Sequence, residues 1–134
     1  MATLRLEVVT PEKTVVSEDV DMVICPGSEG EFGVLPHHIS LLSALKMGAL
    51  RYRIGDKDEC VFISGGFVDV NADKCSVLAE SAEHARDIDR ARAEAARERA
   101  ERRLREREEG IDELRAEIAL KRAIMRLQLA PKPM

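Results

Sequence analysis

The feature that most constrains this chain is a change of pattern near Ser81. Before it, short alternating segments are broken by turn residues about every 8–12 positions, the spacing of an all-β sandwich or barrel. After it, from Asp87 to Leu129, there is no proline and a single glycine, Gly110. The strand-like runs are Leu4–Val9 before Thr10-Pro11-Glu12, Val20–Cys25 before Gly27-Ser28-Glu29-Gly30, and Ala49–Ile54 before Gly55-Asp56-Lys57-Asp58. Cys60–Ile63, Phe67–Val70 and Cys75–Ala79 complete the series. Their Val, Ile and Phe content favours strands over helices. Val15-Val16 is expected to stop at a polar break over Ser17-Glu18-Asp19. Residues 1–86 are therefore expected to form an antiparallel β-sandwich and residues 87–134 a separate two-helix hairpin, an α+β chain.

The second part is rich in Ala, Arg, Glu and Leu, all strong helix formers. Glu98 with Arg102, and Glu101 with Arg105, are i,i+4 pairs in the favourable order. Gly110 suits the left-handed residue that ends a helix, and Asp112 can cap the next one. Ile111, Leu114, Ile118, Met125 and Leu129 predict the apolar stripe of the second helix. Ala91, Ala95, Ala96 and Ala100, then Leu104, predict a small-residue face on the first, which allows two antiparallel helices to approach closely. So much alanine buries little area. At ~25 cal/mol per Å² of apolar surface, docking of the hairpin on the sandwich is expected to be only marginally favourable. The hairpin is accordingly expected to be a mobile element.

Charge follows the same division. Residues 1–87 carry 8 basic and 15 acidic side chains, whereas residues 88–134 carry 13 and 10. The basic half should prefer an anionic partner, a phosphate ligand or an acidic protein surface. Nucleic acid is disfavoured, because net charge is -4 and aromatic content is 3% with no Trp, too little for a base-stacking platform. No secretory signal is evident, and no apolar run approaches the ~20 residues that span a bilayer. The expectation is a soluble chain, peripheral to any membrane. Cys25, Cys60 and Cys75 form no CxxC pair and read as buried strand residues rather than zinc or redox groups. His37 and His38 are adjacent, so on a strand they point to opposite faces and cannot easily share an ion. The glycine-dense Pro26–Pro36 stretch lacks the Gly-Lys-Ser/Thr of a phosphate loop. No catalytic signature is found. The chain is read as neither an enzyme nor a metalloprotein.

The hairpin arginines carry more information. Arg92 and Arg99 share one helix face, and so do Arg122 and Arg126. Folding antiparallel about Gly110 would put residue 99 near residue 121 and let the four guanidiniums converge. Clustered guanidinium forks suit phosphate oxygens. From spacing alone, a solvated charged face remains the alternative.

Pro26, Gly33-Val34-Leu35-Pro36-His37-His38, Leu41-Leu42, Gly48 and Leu50-Arg51 together resemble the hallmark of the epsilon subunits of F-type ATP synthases. Ser64-Gly65-Gly66-Phe67 is similar to that family's second glycine turn. Ile88-Asp89-Arg90-Ala91-Arg92-Ala93 is similar to its Ile/Leu-Asp-x-x-Arg-Ala motif. His37 departs from the pattern, where the family often has glycine. The resemblance implies a non-catalytic rotor subunit of a proton-driven complex, on the cytoplasmic face of the bacterial plasma membrane. It implies a sandwich that binds the gamma subunit and rests on the c-subunit ring, with Glu29, Glu31 and His38 at those contacts. It further implies a hairpin that is folded in one state and, in the other, extends among the alpha and beta subunits and blocks ATP hydrolysis. Some members bind ATP, alone or with Mg, on the folded hairpin. The resemblance then places Glu83, Ile88, Asp89 and Ala93 near the adenine and Arg92, Arg99, Arg122 and Arg126 towards the phosphates. Two other functions compete with it: a free-standing nucleotide sensor, and a helical arm for nucleic acid.

Overall fold

A computed structural model describes residues 2–38, 40–106 and 112–132. Gly110 and Ile111, expected to end one helix and to start the stripe of the next, lie outside the described residues. The chain divides into two compact units, Met1–His84 and Ala85–Met134.

The first unit is built from ten strands: β1 (Leu4–Val9), β2 (Thr14–Val20), β3 (Met22–Gly27), β4 (Gly30–Val34), β5 (Leu41–Leu45), β6 (Gly48–Ile54), β7 (Lys57–Ile63), β8 (Gly66–Val70), β9 (Lys74–Ala79) and β10 (Ala82–His84). They follow one path, β10-β7-β6-β3-β5-β8-β9-β1-β2, with β4 hydrogen-bonded to β3. β3 and β5 pair only at Gly27 and Leu45. At that corner the path divides into two layers with one core between them. Leu4, Leu6 and Val8 of β1 alternate inward with Val68 and Val70 of β8 and Cys75 and Val77 of β9. They share the core with Val23, Leu50, Val61 and Ile63 from the other layer. The edge strands meet as well: His84 Nε2 lies 3.3 Å from Val15 O, and Tyr52 Oη donates to Glu18 at 3.1 Å.

Two sequence expectations are corrected here. The sandwich is antiparallel except for one pair, since β1 runs parallel to β9. β2 does not stop at Ser17-Glu18-Asp19. It continues to Val20, because Ser17 and Asp19 pair with Glu7 and Arg5 on the outer side, while Glu18, opposite Leu6 on the inner side, accepts from Tyr52 at the strand edge. The turns behave as read. Thr10 Oγ1 accepts from the N–H groups of Glu12 and Lys13, and Asn71 Oδ1 from those of Asp73 and Lys74, the local bonds that make Thr and Asn turn residues. Gly66 has φ 142°, and a Cβ there would collide with the carbonyl oxygen of Leu78 on β9. No other residue fits that approach of β8 to β9.

In the second unit a short 3₁₀ turn (Ala85–Asp87) precedes α1 (Arg90–Glu106), and α2 (Glu113–Leu129) packs against α1. Asp112 Oδ1 accepts from Arg115 N at 3.1 Å, the expected N-cap. The faces differ from expectation. In α1 the buried residues are Ala93 and Ala100, while Ala91 and Ala95 are exposed. In α2 they are Ala116 and Ala123. Leu114 is 65% and Ile118 41% exposed, and with Met125 and Leu129 they lie on the side of α2 away from those alanines. The packed seam is thus alanine at a spacing of seven on both helices, because small side chains are what let two helix backbones come close.

Candidate functional site

Arg90, at the start of α1, donates to Leu127 O at 3.1 Å and also to Ala130 O and Pro131 O, so the start of α1 lies beside the end of α2 and the hairpin is antiparallel. The buried Ala93 and Ala100 of α1 and Ala116 and Ala123 of α2 mark the sides on which the two helices face each other.

Each seam alanine is preceded by an arginine: Arg92, Arg99, Arg115 and Arg122. One step back along a helix is a turn of about 100°. For two antiparallel helices facing each other, that same turn leads to the same side of the hairpin. Arg103 and Arg126 extend these stripes, so among the described residues six arginines fall on one flank. The residues following the alanines are Glu94, Glu101, Glu117 and Ile124, so the opposite flank carries acids interspersed with Arg90 and Arg97. Charge is therefore partly segregated across the hairpin. The four arginines singled out in the sequence do share a flank. Arg103 and Arg115 were missed, although their place one residue before or three after a seam position could have found them.

Arg92 and Arg99 are exposed; Arg122 and Arg126 are half-buried. Nε of Arg122 is buried with no hydrogen-bond partner among the described residues. On the acidic flank, Glu101 turns back to Arg97 at 3.4 Å. Asp89 caps α1, its Oδ1 accepting from Arg92 N at 3.1 Å. Ile88 is buried after the 3₁₀ turn, with Ala93 on the seam. Glu83 lies on β10, in register with Phe62 of β7.

The sandwich presents two further surfaces. Glu29 is exposed in the turn between β3 and β4. Glu31 on β4 lies 3.8 Å from Arg51. His38 is half-buried beyond β4, and His37 before it has φ 65°. The second surface was not anticipated. Val9, Leu78, Phe67 and Ala44 are register partners across β1, β9, β8 and β5 and form one continuous row on the outer face. Leu78 is 61% and Phe67 58% exposed, and Leu42 on the same face is 73% exposed. Strand alternation carried the signal, since Val68 and Val70 fill the core and leave Phe67 outside.

A groove of about 300 Å³ on the outer face of β3, β6 and β7 is lined by Met22, Ile24, Arg51, Arg53, Asp58 and Cys60. Its arginines are already paired, Arg51 with Glu31 and Arg53 with Asp58 at 2.8 Å. Among the described residues no cluster of His, Cys, Asp and Glu could hold a metal ion. Cys25 and Cys75 are buried. The Cys25 thiol is pushed far up, first by its hydrogen bond with Cys75 and then by burial. Cys60 is raised by burial, with Arg51 opposing.

The family model for the β-sandwich domain of the ATP synthase delta/epsilon chain matches residues 3–85, and that for its long α-helix domain matches residues 86–130. The chain is 57% identical over 129 residues to the ATP synthase epsilon chain of Syntrophobacter fumaroxidans, covering 96% of both. It is 54% identical over 126 residues to that of Nitratidesulfovibrio vulgaris, covering 94% of both. A chain in the cryo-EM structure of the Euglena gracilis mitochondrial ATP synthase, with OSCP, F1 and c-ring, superposes with a TM-score of 0.79. Its identity is 27%, and the match covers 92% of this chain and 79% of that one.

Proposed function

The chain belongs to the epsilon chains of the F-type ATP synthases, non-catalytic subunits of the central stalk, and on that premise we propose that its sandwich couples the rotor while its hairpin regulates ATP hydrolysis. The sandwich docks on the gamma subunit through the exposed row of Val9, Leu78, Phe67 and Ala44, and Glu29, Glu31 and His38 face the c-subunit ring. No helix among the described residues is long and apolar enough to cross a membrane. The subunit is held peripherally, at the cytoplasmic face of the bacterial plasma membrane, and the coupling ion is the proton.

The hairpin has two states. Closed, it permits turnover; extended among the alpha and beta subunits, it inhibits hydrolysis. ATP favours the closed state, because a ligand shifts an equilibrium only by its differential affinity for the two states. The observation that carries this reading is the arginine flank, which takes members from both helices and contains on Arg122 a buried N–H without a partner among the described residues. A phosphate oxygen satisfies such a donor and relieves repulsion among the guanidiniums. The flank exists only while α1 and α2 lie side by side. Asp89, already committed to capping α1, orders the start of that helix beside Arg92. The adenine would lie near Ile88 and Ala93; Mg, when present, would ride on the phosphates.

Two measurements test this. ATP titrated against the full chain should bind much more weakly when Arg122 and Arg126 are both alanine; undiminished affinity removes them from the site. Deleting residues 88–134 should raise ATP hydrolysis by the reconstituted complex, and an unchanged rate would confine function to the sandwich.

A further inference from the structure

Arg90 has the wrong charge for its own helix. A helix N-terminus carries the positive end of the macrodipole, and the acid that offsets it is the N-cap Asp89, just before a first turn that holds none. The side chain instead reaches the far end of the other helix. Nη2 donates to Leu127 O at 3.1 Å and to Ala130 O at 3.4 Å, and Nε donates to Pro131 O at 3.3 Å. Leu127 is in the last turn of α2, where carbonyls lack intrahelical donors, while Ala130 is its extended C-cap and Pro131 follows it. A cation there meets the negative end of the dipole. The guanidinium offers five N–H groups in a rigid fork and so can serve three carbonyls at once, whereas an ammonium is a point charge. Asp89 offsets the dipole at the start of α1, and the Arg90 guanidinium is turned away to the end of α2.

We propose that Arg90 is a clasp that holds the two helices together at the open end of the hairpin, so that the hairpin opens only when these three bonds break. Asp89 caps α1 and its neighbour Arg90 caps α2, so two consecutive residues tie both helix ends at one point. Arg90 also stands apart from the arginine flank, on the other side of the seam. The clasp therefore favours the closed form without ligand, and nucleotide on the opposite flank adds to it. Its effect on turnover, though not the clasp itself, rests on the two-state reading given above.

The test compares the full chain with Arg90→Ala and Arg90→Lys by amide hydrogen exchange. Exchange over residues 123–130 should be at least about fivefold faster in Arg90→Ala, the loss expected for charge-assisted bonds at a part-exposed site. Arg90→Lys should show most of that acceleration, since charge alone does not replace the fork. Core amides of β6 and β8 should keep their rates in both variants, which reports that the sandwich is intact. Unchanged exchange over 123–130 in both variants overturns the clasp. In the reconstituted complex, Arg90→Ala should lower ATP hydrolysis by about half or more through a larger extended population. Faster exchange with unchanged hydrolysis keeps the clasp and removes the inhibitory role of the hairpin. Unchanged exchange, in a complex that hairpin deletion still activates, removes the clasp and keeps that role.

Discussion

His37 sits at φ 65°, where an L side chain costs about 1–2 kcal/mol relative to the right-handed region. Its N–H donates to Ala72 O at 2.7 Å, which holds the turn in place. The sequence flagged this position as a departure from a family glycine, and the backbone supplies the physical reason for that glycine. His37→Gly should stabilise the sandwich by about 0.5–1 kcal/mol, relief of strain minus the extra freedom of an unfolded glycine. A urea midpoint that rises at constant slope would report it; a fall would mean that imidazole contacts outweigh strain. Asp58 gives a second test. Its hydrogen bond with Arg53 holds the carboxyl below the ordinary aspartate value. A depressed folded pKa contributes stability that is present above the unfolded pKa and is lost as pH falls through the folded one. Both groups are fully exposed, so the contribution is small and the midpoint is the better observable. Carboxyl titration by NMR should place Asp58 below the ordinary aspartate value, and Arg53→Gln should raise it towards that value.

At the scale of elements, the strands were readable because their period of two is written in Val, Ile and Phe and their ends in Thr10, Gly55 and Asn71. The parallel pairing of β1 with β9 was not, since residues some seventy positions apart leave no local trace of their direction. The helices existed as expected; α1 keeps Ala100 of its expected small-residue face buried, with Ala96 and Leu104 half-buried, whereas Ala91 and Ala95 of that face and the stripe of α2 were misread. Hydropathy ranks Leu114 and Ile118 above Ala116 and Ala123, whereas close approach of two backbones selects the small residue. The buried set Ala93, Ala100, Ala116 and Ala123 is invisible to a search for large apolar stripes. It becomes visible as a spacing of seven repeated in both helices with arginine one position before each alanine. This seam makes a sharp prediction. Ala100→Leu would raise apolar content and still destabilise the hairpin, by about 1–3 kcal/mol, because the added volume forces the helices apart. Thermal unfolding followed by helical circular dichroism should move to lower temperature. An upward shift would mean that the seam has room to spare.

For the whole molecule, the decisive arrangement is the separation of two chemistries. The sandwich carries its surplus of apolar surface on the outer face of β5, β8, β9 and β1, and the hairpin carries its surplus of cations on one flank. Solvent-facing positions of a sheet normally alternate to polar residues. Leu42, Phe67 and Leu78 do not, and all are more than half exposed. Such a contiguous patch marks a protein interface, and an aromatic at its centre is the usual energetic anchor. Phe67→Asp with Leu78→Asp should change the stability of the free chain by less than about 0.5 kcal/mol per site, because neither side chain is buried in it. The same pair should weaken binding to the gamma subunit by more than about tenfold, mainly through faster dissociation. The arginine variants Arg122→Ala and Arg126→Ala should leave that affinity untouched while they alter the response to ATP. Surface-immobilised gamma with the chain in solution gives both rates. Retention of wild-type dissociation by the double aspartate variant would move rotor docking to another face, and loss of gamma binding in the arginine variants would break the division of labour between the two units.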